Sequence, residues 1–238
     1  MMSKDEAKNL LNLIAKRYDI TLSENELEKF YDFMINLIEW NGKINLTAIK
    51  NEKDIIVKHF IDSIIINKYI DGSKLLDIGS GAGFPGIPLK IINEDMEMIL
   101  IDSVNKKVNF MNDSIEKLLL KDAKAIHVRA EELAHELEYR EKFDVVTSRA
   151  VANMSTLVEY MLPFVKVGGK CLCLKGPNSL EEIEKSKSAI KKLGGKIEKV
   201  IEYKIEDNER CLVIINKLKT TEQIYPRKQG KPLKEPLQ

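Results

Sequence analysis

The stretch from Leu75 to Pro88, LLDIGSGAGFPGIP, constrains this chain more than any other. A short apolar run carries Asp77 near its end, glycines follow at 79, 81, 83 and 86, and a helical pattern comes after. That is the sequence of a buried strand turning tightly into a helix. Glycine suits such a turn because the backbone needs positive φ. A side chain there would also hold a ligand away from the backbone amides at the helix N-terminus. The pattern predicts a nucleotide-type cofactor site.

Two glycine frames compete. Gly81, Gly83 and Gly86 satisfy a dinucleotide pattern, with Asp102 about 20 residues further on to take ribose hydroxyls. In the other frame Gly79, Gly81 and Gly83 follow Asp77 directly, which puts a carboxylate at the mouth of the turn. A pyrophosphate is repelled there, whereas a ligand carrying an ammonium and a sulfonium is attracted. The pattern therefore leans towards S-adenosylmethionine over NAD.

Around this motif the chain divides by periodicity. Residues 1–70 read as a helical extension. A first helix covers 4 to 18, and a second follows Ser23 and Glu26, which form a capping box with a Leu22–Leu27 staple. The second helix stops near Trp40 at the Asn41-Gly42 turn pair. A third, from about Asn51 to Tyr69, places His59, Asp62 and Ser63 at i, i+3 and i+4 on one face. Spacing alone favours a locally hydrogen-bonded cap on the core for that face. Residues 71–217 alternate strands and helices, with apolar runs at 75–78, 98–101, 125–128, 143–147 and 171–174, each followed by a helix-length amphipathic segment. This predicts an α/β fold with a mostly parallel, doubly wound sheet. Runs at 196–203 and 210–216, joined only by a short charged link, predict a final antiparallel hairpin. Residues 218–238 form a tail with Arg227, Lys228, Lys231 and Lys234 and three prolines, expected to be extended.

Composition narrows the function classes. With 38 Lys or Arg against 37 Asp or Glu, the whole molecule makes no case for a polyanionic partner, so any basic patch must be local. No apolar run reaches membrane-spanning length, and the charged start lacks the apolar core of a signal peptide. Cys171, Cys173 and Cys211 sit in apolar runs and read as reduced core residues of a cytoplasmic protein. Three scattered histidines and these cysteines make no metal site.

In open parallel sheets ligands lie beyond the C-terminal ends of the strands. Those positions hold Asp77 to Gly83, Asp102 to Val104, Arg129 to Glu131, Ser148 to Ala150 and Lys175 to Pro177. Asp102 reads equally as a ribose ligand or as an N-cap for the next helix. Ala130 and Glu131 can bracket an adenine, although Glu131 also suits a first helical turn. Arg149 is the candidate for the substrate half, holding the cofactor or the O6 side of a guanine, with an ion pair to Asp102 or Glu131 as the structural alternative. Lys175, Arg227, Lys228, Lys231 and Lys234 are candidate phosphate contacts, for which plain solvation is the alternative.

The combination of HFIDS (59–63), LLDIGSGAGFPGIPL (75–89), RAEE (129–132), SRAVA (148–152) and YPRKQGKPLKEPL (225–237) resembles the RsmG family, also called glucose-inhibited division protein B. The resemblance runs from WNGKINLT at Trp40 to the tail. It implies a class I, Rossmann-like methyltransferase of bacterial origin; separately, a monomer is expected. Its implied reaction moves a methyl group from S-adenosylmethionine to N7 of one guanine of 16S ribosomal RNA, position 527 in the family's RNA numbering. The family's cofactor contacts match Gly79, Phe84, Ala130, Glu131 and Arg149 here.

The residues present agree with that chemistry. Guanine N7 already offers an in-plane lone pair, so no catalytic base is required and catalysis rests on positioning. No Asn-Pro-Pro-Tyr motif for amino-group methylation stands at the fourth strand, where SRAVA is found. Cys171 and Cys173 share a strand face, which suits packing better than the nucleophile of a cytosine C5 methyltransferase. Three alternatives remain open: a methyltransferase of another RNA or of a small molecule, an NAD-linked oxidoreductase, and an RNA-binding module with a vestigial cofactor site.

Overall fold

The computed structural model describes residues 2–149 and 152–238. Part of SRAVA, at 150 and 151, lies outside the described residues.

Three N-terminal segments form a helical layer. Helix α1 (Lys4–Lys16) and helix α2 (Glu24–Asn41) each start on a complete capping box, Ser3 with Glu6 and Ser23 with Glu26. Each serine accepts an otherwise unpaired first-turn N–H, an arrangement worth about 1 kcal/mol per helix. The third segment is not the continuous helix its pattern predicts. It runs from α3 (Glu52–Ile55) into a π-helical turn at Ile56–Ile61 and then α4 (Asp62–Ile64). The Asp62 amide reaches back five residues to the Val57 carbonyl, so the ladder carries an extra residue where HFIDS sits.

From Lys74 onward strands and helices alternate: β1 (Lys74–Ile78), α5 (Gly86–Ile92), β2 (Glu97–Asp102), α6 (Asn105–Lys117), β3 (Ala123–His127), α7 (Ala130–Leu133) and β4 (Phe143–Arg149). Then come α8 (Met154–Met161), β5 (Val165–Lys175), α9 (Leu180–Lys192), β6 (Gly195–Ile205), β7 (Asn208–Lys217) and α10 (Lys231–Lys234). The sheet order is β3-β2-β1-β4-β5-β7-β6. Strands β1 to β5 are mutually parallel, whereas β7 runs antiparallel to both β5 and β6. This is the expected α/β sheet with its closing hairpin. Two connections are shorter than expected, because α5 spans seven residues and α7 only four.

Strand alternation gives each face its own core. Leu75, Leu100, Val145 and Leu172 join Phe30, Phe33 and Phe60 of the helical layer on one face. Leu76, Ile78, Ile99, Val146, Cys171 and Cys173 pack beneath α8 and α9 on the other. The three cysteines are buried, and burial pushes the Cys173 thiol up to about 12. They are packing residues, as their positions in the sequence predict.

The tail departs from the extended, solvated strand expected of it. Tyr225, Pro232 and Leu237 are buried. Buried Arg140 donates to the carbonyls of Thr221, Glu222 and Tyr225, and α10 packs on α8. Apolar side chains spaced among the charges tie the segment down.

Candidate active site

The turn after β1 carries Gly79, Gly81 and Gly83 at φ of 65°, 60° and 80°, which only glycine adopts at little cost. Two carboxylates hold it. Asp102, at the end of β2, accepts from the Gly81 amide and from the Val104 amide, both at 2.9 Å. It therefore makes an Asx-type turn ahead of α6, whose cap residue Val104 has no side-chain cap bond. Asp77 accepts from the Gly86 amide at 3.1 Å and from the Thr147 hydroxyl at 3.0 Å. Its side chain is fully buried, and that burial pushes its pKa up to about 6.

The placement of Asp77 corrects the expectation that it stands at the mouth of the turn. It shares a strand face with Leu75, so it points under the turn and ties α5 to β4. The carboxylate at the mouth is that of Asp102. Gly86 packs so tightly that an added Cβ would come within 2.6 Å of Leu100 Cδ2. At Gly81, by contrast, an added Cβ would meet nothing nearer than the Gly79 carbonyl at 4.0 Å.

A cavity of about 200 Å3 opens at the C-terminal ends of β1 to β3. Gly79, Asp102, Ala130 and Glu131 line it, together with Ile78, Ile101, Ser103, Val128, Arg129, Ala152, Tyr160 and Leu233. The sequence brought four of the nine candidate cofactor residues to this wall. Tyr160 and Leu233 were missed. Burial and the adjacent Glu131 carboxylate push the Tyr160 hydroxyl up to about 12. Leu233 belongs to the tail, and Glu131 also accepts from the Gly230 amide at 3.2 Å, so the tail roofs the cavity.

Arg149 and Phe84 lie beside this cavity instead of lining it. The Phe84 ring is buried, stacked on His59 at 4.3 Å and 10°, with the Arg149 guanidinium 5.1 Å from its centroid. Arg149 Nη1 donates to Asp62 Oδ2 at 3.0 Å and to the Lys58 carbonyl at 3.2 Å, while Nη2 donates to His59 Nδ1 at 3.0 Å. The ion pair of Arg149 is thus with Asp62, and not with Asp102 or Glu131. His59 Nε2 faces the Thr47 hydroxyl at 2.9 Å, and Asp62 Oδ1 accepts from Arg210 Nε at 3.0 Å. Burial, then Arg149, hold the imidazole far down, to about 3, so it is neutral with its proton on Nε2. The HFIDS face is therefore the support of Arg149, which goes beyond the local cap that its spacing favours.

The basic candidates divide. Arg227 is committed to Glu159, a carboxylate with no exposed side-chain surface, through Nε and Nη2. Lys175 pairs with Glu182 at 2.8 Å and donates to the Ala152 carbonyl. Lys228 and Lys234 are exposed, and Lys231 stands 3.8 Å from Glu235. No group of three or more His, Cys, Asp or Glu side chains able to hold a metal occurs among the described residues, and no helix there is long and apolar enough to cross a membrane.

The family model for GidB, rRNA small subunit methyltransferase G, matches residues 26–213. The chain belongs to the GidB family. Ribosomal RNA small subunit methyltransferase G of Clostridium novyi (strain NT) is 46% identical over 234 residues, 96% of each chain. The protein of the same name from Clostridium perfringens (strain 13 / Type A) is 49% identical over 220 residues, covering 90% of this chain and 92% of that one. Two solved structures share the fold. A SAM dependent methyltransferase from Aquifex aeolicus has a TM-score of 0.51 at 17% identity, over 68% of this chain and 92% of that one. A putative O-methyltransferase from Klebsiella pneumoniae has a TM-score of 0.56 at 8% identity, over 79% and 90%. The sheet is thus the class I methyltransferase sheet, and GidB membership makes the chain an S-adenosylmethionine-dependent methyltransferase.

Proposed function

We propose that this chain methylates N7 of a single guanine of 16S ribosomal RNA in the small ribosomal subunit, guanine 527 in the family's numbering, and that its cofactor occupies the cavity at the ends of β1 to β3. One observation carries the choice of cofactor. The Gly81 and Gly86 amides, which a dinucleotide pyrophosphate would need, already donate to Asp102 and Asp77. A glycine turn and helix start whose amides are taken by the protein's own carboxylates repel a pyrophosphate and favour a ligand whose charged groups there are cationic.

The lining suits a nucleoside bearing such groups. Asp102 keeps acceptor capacity for ribose hydroxyls beyond its two backbone bonds. Ala130 supplies a backbone amide, and Ile101 and Val128 supply apolar wall for a base, with Glu131 at the rim. Gly79 and the open side of Gly81 let the ligand approach the backbone. S-adenosylmethionine supplies a methyl group already activated as a sulfonium. The protein's part is orientation, because the guanine N7 lone pair needs no proton removed before it attacks. Consistent with that, the His59 imidazole beside Phe84 and Arg149 is held on both nitrogens, by Thr47 and Arg149.

Methyl-labelled S-adenosylmethionine, offered with small-subunit RNA from cells lacking this enzyme, tests the proposal. One methyl group per RNA is expected, on naked RNA or on assembled subunits, and NAD should neither bind nor stabilise the fold. Absence of label in both forms with intact cofactor binding would remove the RNA assignment and leave the methyltransferase.

A further inference from the structure

Beside the cofactor cavity lies a second, of about 330 Å3, within the range of small-ligand pockets. The two are linked through Ala152, which lines the first while its carbonyl accepts from Lys175 of the second. Lys58, Arg149, Lys175 and Arg210 line this cavity with one lining carboxylate, Asp62; outside the lining, Lys58 pairs with Asp54 at 3.1 Å and Lys175 with Glu182 at 2.8 Å. Ile49 and Leu174 give it apolar wall, and Gly176 leaves one side open. Lys58 and Arg210 stand at the rim with about a third and a fifth of their side chains exposed, whereas Arg149 and Lys175 lie deeper. Just behind, the buried Tyr203 hydroxyl has no hydrogen-bond partner among the described residues.

We propose that this cavity is the subsite for the target guanine nucleotide, with its phosphate at Lys58 and Arg210 and the O6 of its base on Arg149. This rests on the function proposed above. A guanidinium has five N–H donors. Three of those on Arg149 go to Asp62, Lys58 and His59, which leaves two. Arginine commonly reads guanine through O6 and N7 together, but here N7 must stay open to attack. Two donors, fixed by three bonds to the protein, are enough to hold O6 alone. Adenine would place its amino group against those donors, so the same arrangement selects guanine. A base reaches such a pocket only after leaving its stack, and the apolar walls replace part of that stacking. His59 and Asp62 are positioning residues: they touch Arg149 and set which of its donors remain.

The test separates this subsite from the cofactor cavity. At Gly176 an added Cβ meets no atom within 4 Å, so Gly176→Trp fills the cavity without disturbing the packed core. Its methyl transfer to small-subunit RNA should fall by about a hundredfold or more, with affinity for S-adenosylmethionine within about twofold of the unmodified enzyme. Lys58→Ala with Arg210→Ala should raise KM for the RNA about tenfold and leave kcat near its original value, as expected for lost phosphate contacts. Lys58→Arg should restore the contact at Lys58. Unchanged KM and kcat in Gly176→Trp, in an enzyme whose parent methylates the RNA, would overturn the subsite while the function stands. Weakened cofactor binding with an unchanged KM for RNA in the double variant would assign these cations to the cofactor and overturn it too. A parent enzyme that transfers no methyl to the RNA would overturn the function reading, and the subsite with it.

Discussion

Arg149 donates Nη2 to Nδ1 of His59 at 3.0 Å, although 90 residues separate them. The bond joins the end of β4 to the π-helical turn of the N-terminal layer, and the His59 ring is stacked on Phe84 of the glycine turn. The helical layer, the glycine turn and the strand carrying the substrate candidate thus meet at one imidazole.

That imidazole should not titrate near neutrality. Its value of about 3 in the fold lies below the ordinary 6.5, so the unfolded chain binds a proton that the native one refuses. Its contribution to stability is present above pH 6.5 and is lost as pH falls through the interval. Nitrogen NMR of labelled histidine should find His59 as the Nε2–H tautomer down to pH 5. Protonation of His59 above pH 5.5 would contradict the geometry.

Asp77 has the opposite sign. Its folded value of about 6 lies above the ordinary 3.8, so its contribution is present below 3.8 and is lost as pH rises through 6. Asp77→Asn still offers an acceptor to Gly86 and a donor to Thr147, and should lose this pH dependence with little change in stability. Asp77→Ala strands both partners in a buried site and should cost about 3 kcal/mol in urea unfolding.

The glycines should separate in the same way. Gly86→Ala presses on Leu100 and Asp77 and should destabilise by about 2 kcal/mol, read as a lower melting temperature. Gly81→Ala has room, and its strain at positive φ costs roughly 1 kcal/mol. The larger effect there should be weaker S-adenosylmethionine binding by calorimetry.

In the tail, Arg227→Ala would leave the buried Glu159 carboxylate unpaired and should cost about 3 kcal/mol. Glu159→Gln in the same chain should return part of that loss. A double-mutant cycle by denaturant unfolding measures both.

The sheet was legible because each strand is an apolar run bounded by turn residues, and the hairpin because the charged link between the last two runs is too short for a helix; in the structure only Glu206 and Asp207 separate β6 from β7. The glycine turn and the wall of Gly79, Asp102, Ala130 and Glu131 were legible because ligands gather at strand ends. The aim of Asp77 was also available, since period-two alternation puts it with Leu75, beneath the turn; the reading followed its place in the motif instead. The π turn at Ile56–Ile61 was not legible, because the inserted residue answers to Thr47, Arg149 and Arg210, all distant in sequence. The tail misled through its lysines and prolines, whereas Tyr225 and Leu237 were the signal that it packs.

The most direct test of the account is the position and atom of the transferred methyl group. Small-subunit RNA from cells lacking this enzyme, treated with the protein and S-adenosylmethionine, would be reduced and cleaved at N7-methylguanine and its breaks mapped by primer extension. A single break, at one guanine, is the predicted result. Methyl incorporation without cleavage, or cleavage at many guanines, would contradict the account.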